Sequence, residues 1–114
     1  MPTYAPGDRI FIEVELRDDE SEIASVRMVF CLEINQSKEI EFVYEGDPFS
    51  SGQITLGYDV YGKEAPGLYR LKEFYAVDTK DNRSDFSPSG LDFEIKNHKV
   101  DIEGPQLISV QLVS

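Results

Sequence analysis

The chain has 114 residues, with 22 acidic against 11 basic side chains and a formal net charge of −11. At this length one domain is expected, able to build its core without disulfide or metal staples. The charge argues against nucleic-acid binding, where Lys and Arg must neutralise phosphates, and against docking on anionic membranes.

Along the chain, apolar residues recur at every second position, the period of a strand with one buried face. Ile10, Ile12, Val14 and Leu16 form the first such face, opposite Arg9, Phe11, Glu13 and Glu15. Asp18 to Ile23 follows as an acidic stretch with room for a short helical turn. Val26, Met28, Phe30, Leu32 and Ile34 make the second face, and Ile40, Phe42 and Tyr44 the third. Ile54, Leu56 and Tyr58 form a shorter one. Tyr69, Leu71, Glu73, Tyr75 and Val77 alternate with Leu68, Arg70, Lys72, Phe74 and Ala76. Leu91, Phe93 and Ile95 come next, and Ile108, Val110 and Leu112 close the chain.

Breakers separate these segments: Ala5-Pro6-Gly7-Asp8, Asn35-Gln36-Ser37, Glu45-Gly46-Asp47-Pro48, Ala65-Pro66-Gly67, Thr79-Lys80-Asp81-Asn82 and Ser87-Pro88-Ser89-Gly90. Pro followed by Gly suits a type II turn, since Pro presets φ and Gly accepts positive φ next to it. No window keeps a helical spacing, so the expectation is all-β: an antiparallel sandwich of about seven strands. No apolar run approaches the roughly 18 residues of a membrane-spanning helix. Cys31 is the sole cysteine, which excludes an intrachain disulfide. Met1 stands directly before a turn, with no basic and then apolar leader, and reads as a start set within a longer protein.

Ala65-Pro66-Gly67-Leu68-Tyr69-Arg70-Leu71 turns into a strand with Tyr69 two residues before an inward Leu71. This resembles the tyrosine corner of immunoglobulin-like sandwiches. Phe74 to Asn82 resembles the strand and Asp-x-x-Gly-Asn ending of bacterial immunoglobulin-like and fibronectin type III-like repeats, with Asp81 in place of the glycine. Pro6-Gly7-Asp8 and the alternating strand after it are similar to the second strand of such repeats. The resemblance implies an immunoglobulin-like fold and an extracellular or cell-surface setting. It also implies a corner hydroxyl bond from Tyr69 to the preceding loop. The cysteines and core tryptophan of antibody domains are missing.

In such repeats a strand precedes the Pro-Gly-Asp turn. Here Met1 to Tyr4 is short, while Glu103 to Ser114 reads as a linker and the first strand of a following repeat. The division expected is therefore a sandwich over 1–100 and a linker plus strand over 101–114. Residues 106–113 could fill the vacant first position of this module or of a neighbour, giving a strand-exchanged oligomer.

Catalytic chemistry has little support. His98 and Cys31 are single and cannot form a dyad with one another's kind; His98 reads as a solvated loop residue and Cys31 as a small semi-buried hydrophobe. Carboxylates are abundant. The loops after the second and sixth sandwich strands lie at one end, so Asp18, Asp19, Asp78 and Asp81 could converge on calcium, which takes 6–8 oxygen ligands. The alternative is a solvated acidic coat. Phe11, Tyr44, Tyr58, Tyr61 and Phe86 fall at strand ends or opposite the buried face, where a row would stack sugars and a scatter would be ordinary surface. The expected function is a non-catalytic structural or adhesive module of a larger extracellular protein. The alternative is an accessory module of a secreted enzyme or adhesin, binding carbohydrate or protein.

Overall fold

The computed structural model describes residues 1–96 and 109–113. Its strands are β1 (Thr3–Tyr4), β2 (Arg9–Arg17), β3 (Ile23–Leu32), β4 (Asn35–Tyr44), β5 (Ser51–Asp59), β6 (Gly67–Asp78), β7 (Arg83–Asp85) and β8 (Phe93–Ile95). No helix occurs among the described residues, and the acidic stretch after β2 is a bend. The fold is an all-β sandwich. One sheet has the order β1-β8-β6-β3-β4, with β7 also paired to β6; the other is the β2-β5 pair. Pairing is antiparallel except between β1 and β8, which run parallel. Two of the eight strands, β1 and β7, fall outside the expected runs, while residues 109–112 of the expected last run form no strand; β7 and β8 pair with different stretches of β6, and Phe86 to Asp92 interrupts them.

The inward faces of β2, β4, β5 and β8 are those that alternation predicts. Ile10, Val14, Ile40, Phe42, Leu56, Phe93 and Ile95 are buried in one cluster with Val26, Met28, Phe30 and Leu32 of β3. Phe93 is its aromatic centre. It stacks on Tyr69 at 5.5 Å, tilts against Phe30 at 4.9 Å and meets the edges of Tyr4 and Phe42 at 6.0 and 6.4 Å. Such pairs add to area burial because edge and face carry opposite partial charge.

Two expected faces change. In β6, Tyr69 and Leu71 point inward as predicted, but Phe74 and Ala76 are the buried residues further on, not Glu73, Tyr75 and Val77. The cause is a bulge: Val29 pairs with Glu73 and Phe30 with Leu71, leaving Lys72 as an extra residue that flips the phase. Ile34 does not extend the face of β3. It sits 85 % exposed in a tight reversal, because Leu32 pairs with Asn35. The Asn35-Gln36-Ser37 stretch is the irregular start of β4, where the Asn35 side-chain oxygen accepts bonds from the Ser37 amide and hydroxyl at 3.2 and 2.6 Å.

The Pro-Gly turns behave differently from each other. At Ala5-Pro6-Gly7-Asp8 the Asp8 amide donates to the Ala5 carbonyl at 3.0 Å, and Gly7 has φ +96°. That is the expected type II turn. Gly67 has φ +136°, and a Cβ there would lie 2.8 Å from Leu32 Cδ1, so both backbone and packing require glycine. The expected division at residue 100 falls in 97–108, outside the described residues, as do His98, Asp101, Glu103 and Ile108. Residues 109–113 carry no strand pairing among the described residues.

Candidate functional site

The acidic loops after β2 and β6 do meet at one end of the sandwich. The Thr79 amide donates to the Glu22 carbonyl at 2.8 Å, and Asp18 and Asp78 line one small cleft. Their oxygens are engaged in shaping the loops. Asp18 accepts the Glu20 and Ser21 amides at 3.0 Å each. Asp78 accepts the Lys80 and Asn82 amides at 2.9 and 2.8 Å and the Asn82 side-chain amide at 3.0 Å. Partial burial opposes ionisation of Asp78, but the bonds from Asn82, Lys80 and Ser21 outweigh it and bring its pKa down to about 2. Asp19 pairs instead with Arg17 at 3.1 Å, and Asp81 occupies the turn itself with φ +66°. An aspartate tolerates that left-handed region better than most residues. Among the described residues, no three Asp, Glu, His or Cys side chains gather as a metal site. The four carboxylates share an end of the fold without forming one donor set.

The opposite end carries a polar cluster that alternation could not reveal. Glu64, in the loop between β5 and β6, is only 8 % exposed. It accepts the Tyr58 hydroxyl at 2.9 Å, the Gly62 amide at 2.9 Å and the Tyr61 amide at 3.3 Å. Burial pushes its pKa up, the bonds from Gly62, Tyr58 and Tyr61 pull it down, and the bonds win, so it stays ionised. Next to it the Tyr69 hydroxyl donates to the Ala65 carbonyl at 2.6 Å, the corner bond expected from the sequence. Burial and the Glu64 charge push the Tyr69 phenol up to about 12. Tyr69→Phe keeps the ring and removes the bond. It should cost about 1–2 kcal/mol and lower the melting temperature by roughly 5–10 °C in a calorimetric scan. The wild type should also lose stability above pH 10, the phenol's ordinary value, as pH rises toward about 12, because only the unfolded phenol ionises readily in that window.

The outer face of the large sheet is a ladder of alternating charge. Glu41 pairs with Arg27 at 2.6 Å, Arg27 with Glu73 at 3.7 Å, Glu73 with Arg83 at 2.7 Å, and Arg83 with Asp85 at 2.8 Å. Arg83 also lies 3.8 Å over the ring of Tyr75. These half-exposed pairs add little stability one by one. They belong to the same outer face as Val29 and Cys31, which are buried there, as long charged side chains cover apolar surface with their stems.

The aromatics named above do not form one surface. Tyr44 and Tyr58 pack against the core, and Tyr44 meets Phe49 edge-on at 5.6 Å. Phe11, Tyr61 and Phe86 are exposed, each on a different element. Phe86 leans on Phe74 at 5.0 Å and Phe11 lies under the Arg9 guanidinium at 5.4 Å. A further concave feature is a cleft beside β2, lined in part by Tyr4, Ile10, Ile12, Leu91 and Phe93. Compared with known proteins, the chain matches no family model, no curated protein and no solved structure.

Proposed function

We propose that the chain is a non-catalytic structural or adhesive module of a larger extracellular protein, of the immunoglobulin-like or fibronectin type III-like repeat kind, with neighbouring repeats as its partners. The observation that carries this reading is the parallel pairing of β1 with β8, Thr3 opposite Glu94 and Tyr4 opposite Ile95. Parallel strands run the same way, so the chain enters at one end of the pair and leaves at the other. Modules joined in this manner line up end to end, and tension between them loads the β1-β8 bonds in shear rather than one at a time. The chemistry of the perturbed groups is in keeping with this: Tyr58, Glu64, Tyr69 and Asp78 each hold a loop or a corner in shape. The excess of carboxylates serves solubility through mutual repulsion between molecules.

Pulled between its termini in single-molecule force spectroscopy, the chain should resist and then unfold in one cooperative event. A glycan array probed with the same protein should stay blank. Saturable glycan binding would move the reading to the ligand-binding module of a secreted enzyme or adhesin. Gradual yielding at low force would remove the mechanical role.

A further inference from the structure

Two features have no part in the packing described above. The first is the outer edge of β2. Among the described residues β2 pairs with β5 alone, so its other side presents backbone groups with no strand against them. Two clefts lie along β2. One, of about 210 Å³, sits between Tyr4, Ile10, Ile12, Leu91 and Phe93. The other, further along the strand, is lined by Val14, Leu16, Phe74 and Phe86. Their far wall is the stretch from Phe86 to Asp92 that breaks the last edge of the large sheet.

The second is the segment 109–113. It has no strand pairing, and Val110, Leu112 and Val113 are 82 %, 94 % and 86 % exposed. Alternation sets Val110 and Leu112 on one side and Ser109, Gln111 and Val113 on the other. An exposed apolar segment of this pattern and an open edge beside partly apolar clefts are complementary halves of one sheet extension.

We propose that residues 109–113 of a second copy of this chain add to the open edge of β2, placing Val110 and Leu112 in the clefts. A copy of the chain is the occupant because the chain itself carries the matching pattern on side chains that are exposed and unpaired. Glu13, Glu15, Asp85 and Asp92 line the clefts, and the stretch Ser109 to Val113 brings no charge of its own beside them; because each chain carries −11, added salt should strengthen the association. Reciprocal donation closes a dimer, and one-way donation runs on into longer assemblies. This goes beyond the module reading and stands separately from it, since a monomeric chain could still bear load and a dimeric one could still bind a glycan.

The test is sedimentation equilibrium of the full chain from micromolar to millimolar concentration, alongside the V110D/L112D double variant. Mass above that of a monomer is expected for the wild type at the high end. The double variant should weaken association on the order of a hundredfold, the effect of two aliphatic side chains left unburied, with its melting temperature as a monomer unchanged. A synthetic peptide of residues 106–114 added to the double variant should slow hydrogen exchange at β2. A wild type that stays monomeric throughout overturns the proposal. So does association that the double variant leaves intact, or protection of β2 by the chain's own segment within a monomer.

Discussion

Phe93→Ala is expected to lower stability by about 3–5 kcal/mol, the usual cost of truncating a buried phenylalanine that its neighbours cannot replace. The ring touches Tyr4, Phe30, Phe42 and Tyr69, which come from four different strands. β8 is three residues long, so side-chain anchorage rather than hydrogen-bond number holds it in the sheet. Its loss also releases β1, whose pairing is with β8. Domains of this size have roughly 5–15 kcal/mol in total, so the variant should melt about 15–25 °C below the wild type by circular dichroism, or fail to fold. Phe93→Leu retains most of the volume and should lose far less. A change below about 1 kcal/mol for the alanine variant would show that the ring is not the packing centre.

Glu64→Ala is the second large effect. The substitution strands the Gly62 and Tyr61 amides and the Tyr58 hydroxyl in a half-dry loop, for a cost of about 2–4 kcal/mol. Glu64→Gln separates charge from shape. It keeps one acceptor oxygen where the carboxylate has two, so it should fall between the wild type and the alanine variant. The carboxylate also gives the wild type a pH dependence of known sign. Its folded pKa lies below the ordinary 4.5, so its contribution is present above pH 4.5 and is lost as pH falls through the lowered value. Urea titrations from pH 7 down to pH 3 should show this loss in the wild type and a flatter profile in both variants. An unchanged slope in the glutamine variant would show that other carboxylates carry the acid dependence.

Two of the edge strands, β4 and β2, differ in their defence. β4, at the end of the large sheet, is covered by charged and polar side chains and lies against the chain as it turns into β5. β2 has two clefts beside it, each partly lined by apolar side chains. Long open edges invite added strands unless blocked, which is why the proposed strand addition is set at β2 rather than at β4.

Most of the layer structure was legible in residue spacing. Period-two runs name the buried faces of β2, β4, β5 and β8 because a pleat sends successive side chains to opposite sides, and burial follows from that geometry alone. The turn at Gly7 was legible for the same local reason, since Pro and Gly set their own dihedrals. The Tyr69 bond was reached through resemblance, and the pairing of the two acidic loop ends through the expected sandwich order. The tertiary structure decided what depends on a partner strand. Lys72 bulges because of how β6 must register with β3, and that single extra residue moves burial from Tyr75 to Phe74. Ile34 looks like core until Leu32 and Asn35 pair across it. Glu64 reads as one more loop acid among 22 acidic residues; only the meeting of Tyr58, Tyr61 and Gly62 around it makes it a buried anchor. Local spacing specifies which way a side chain points, while register and loop closure, which are non-local, decide what it meets there.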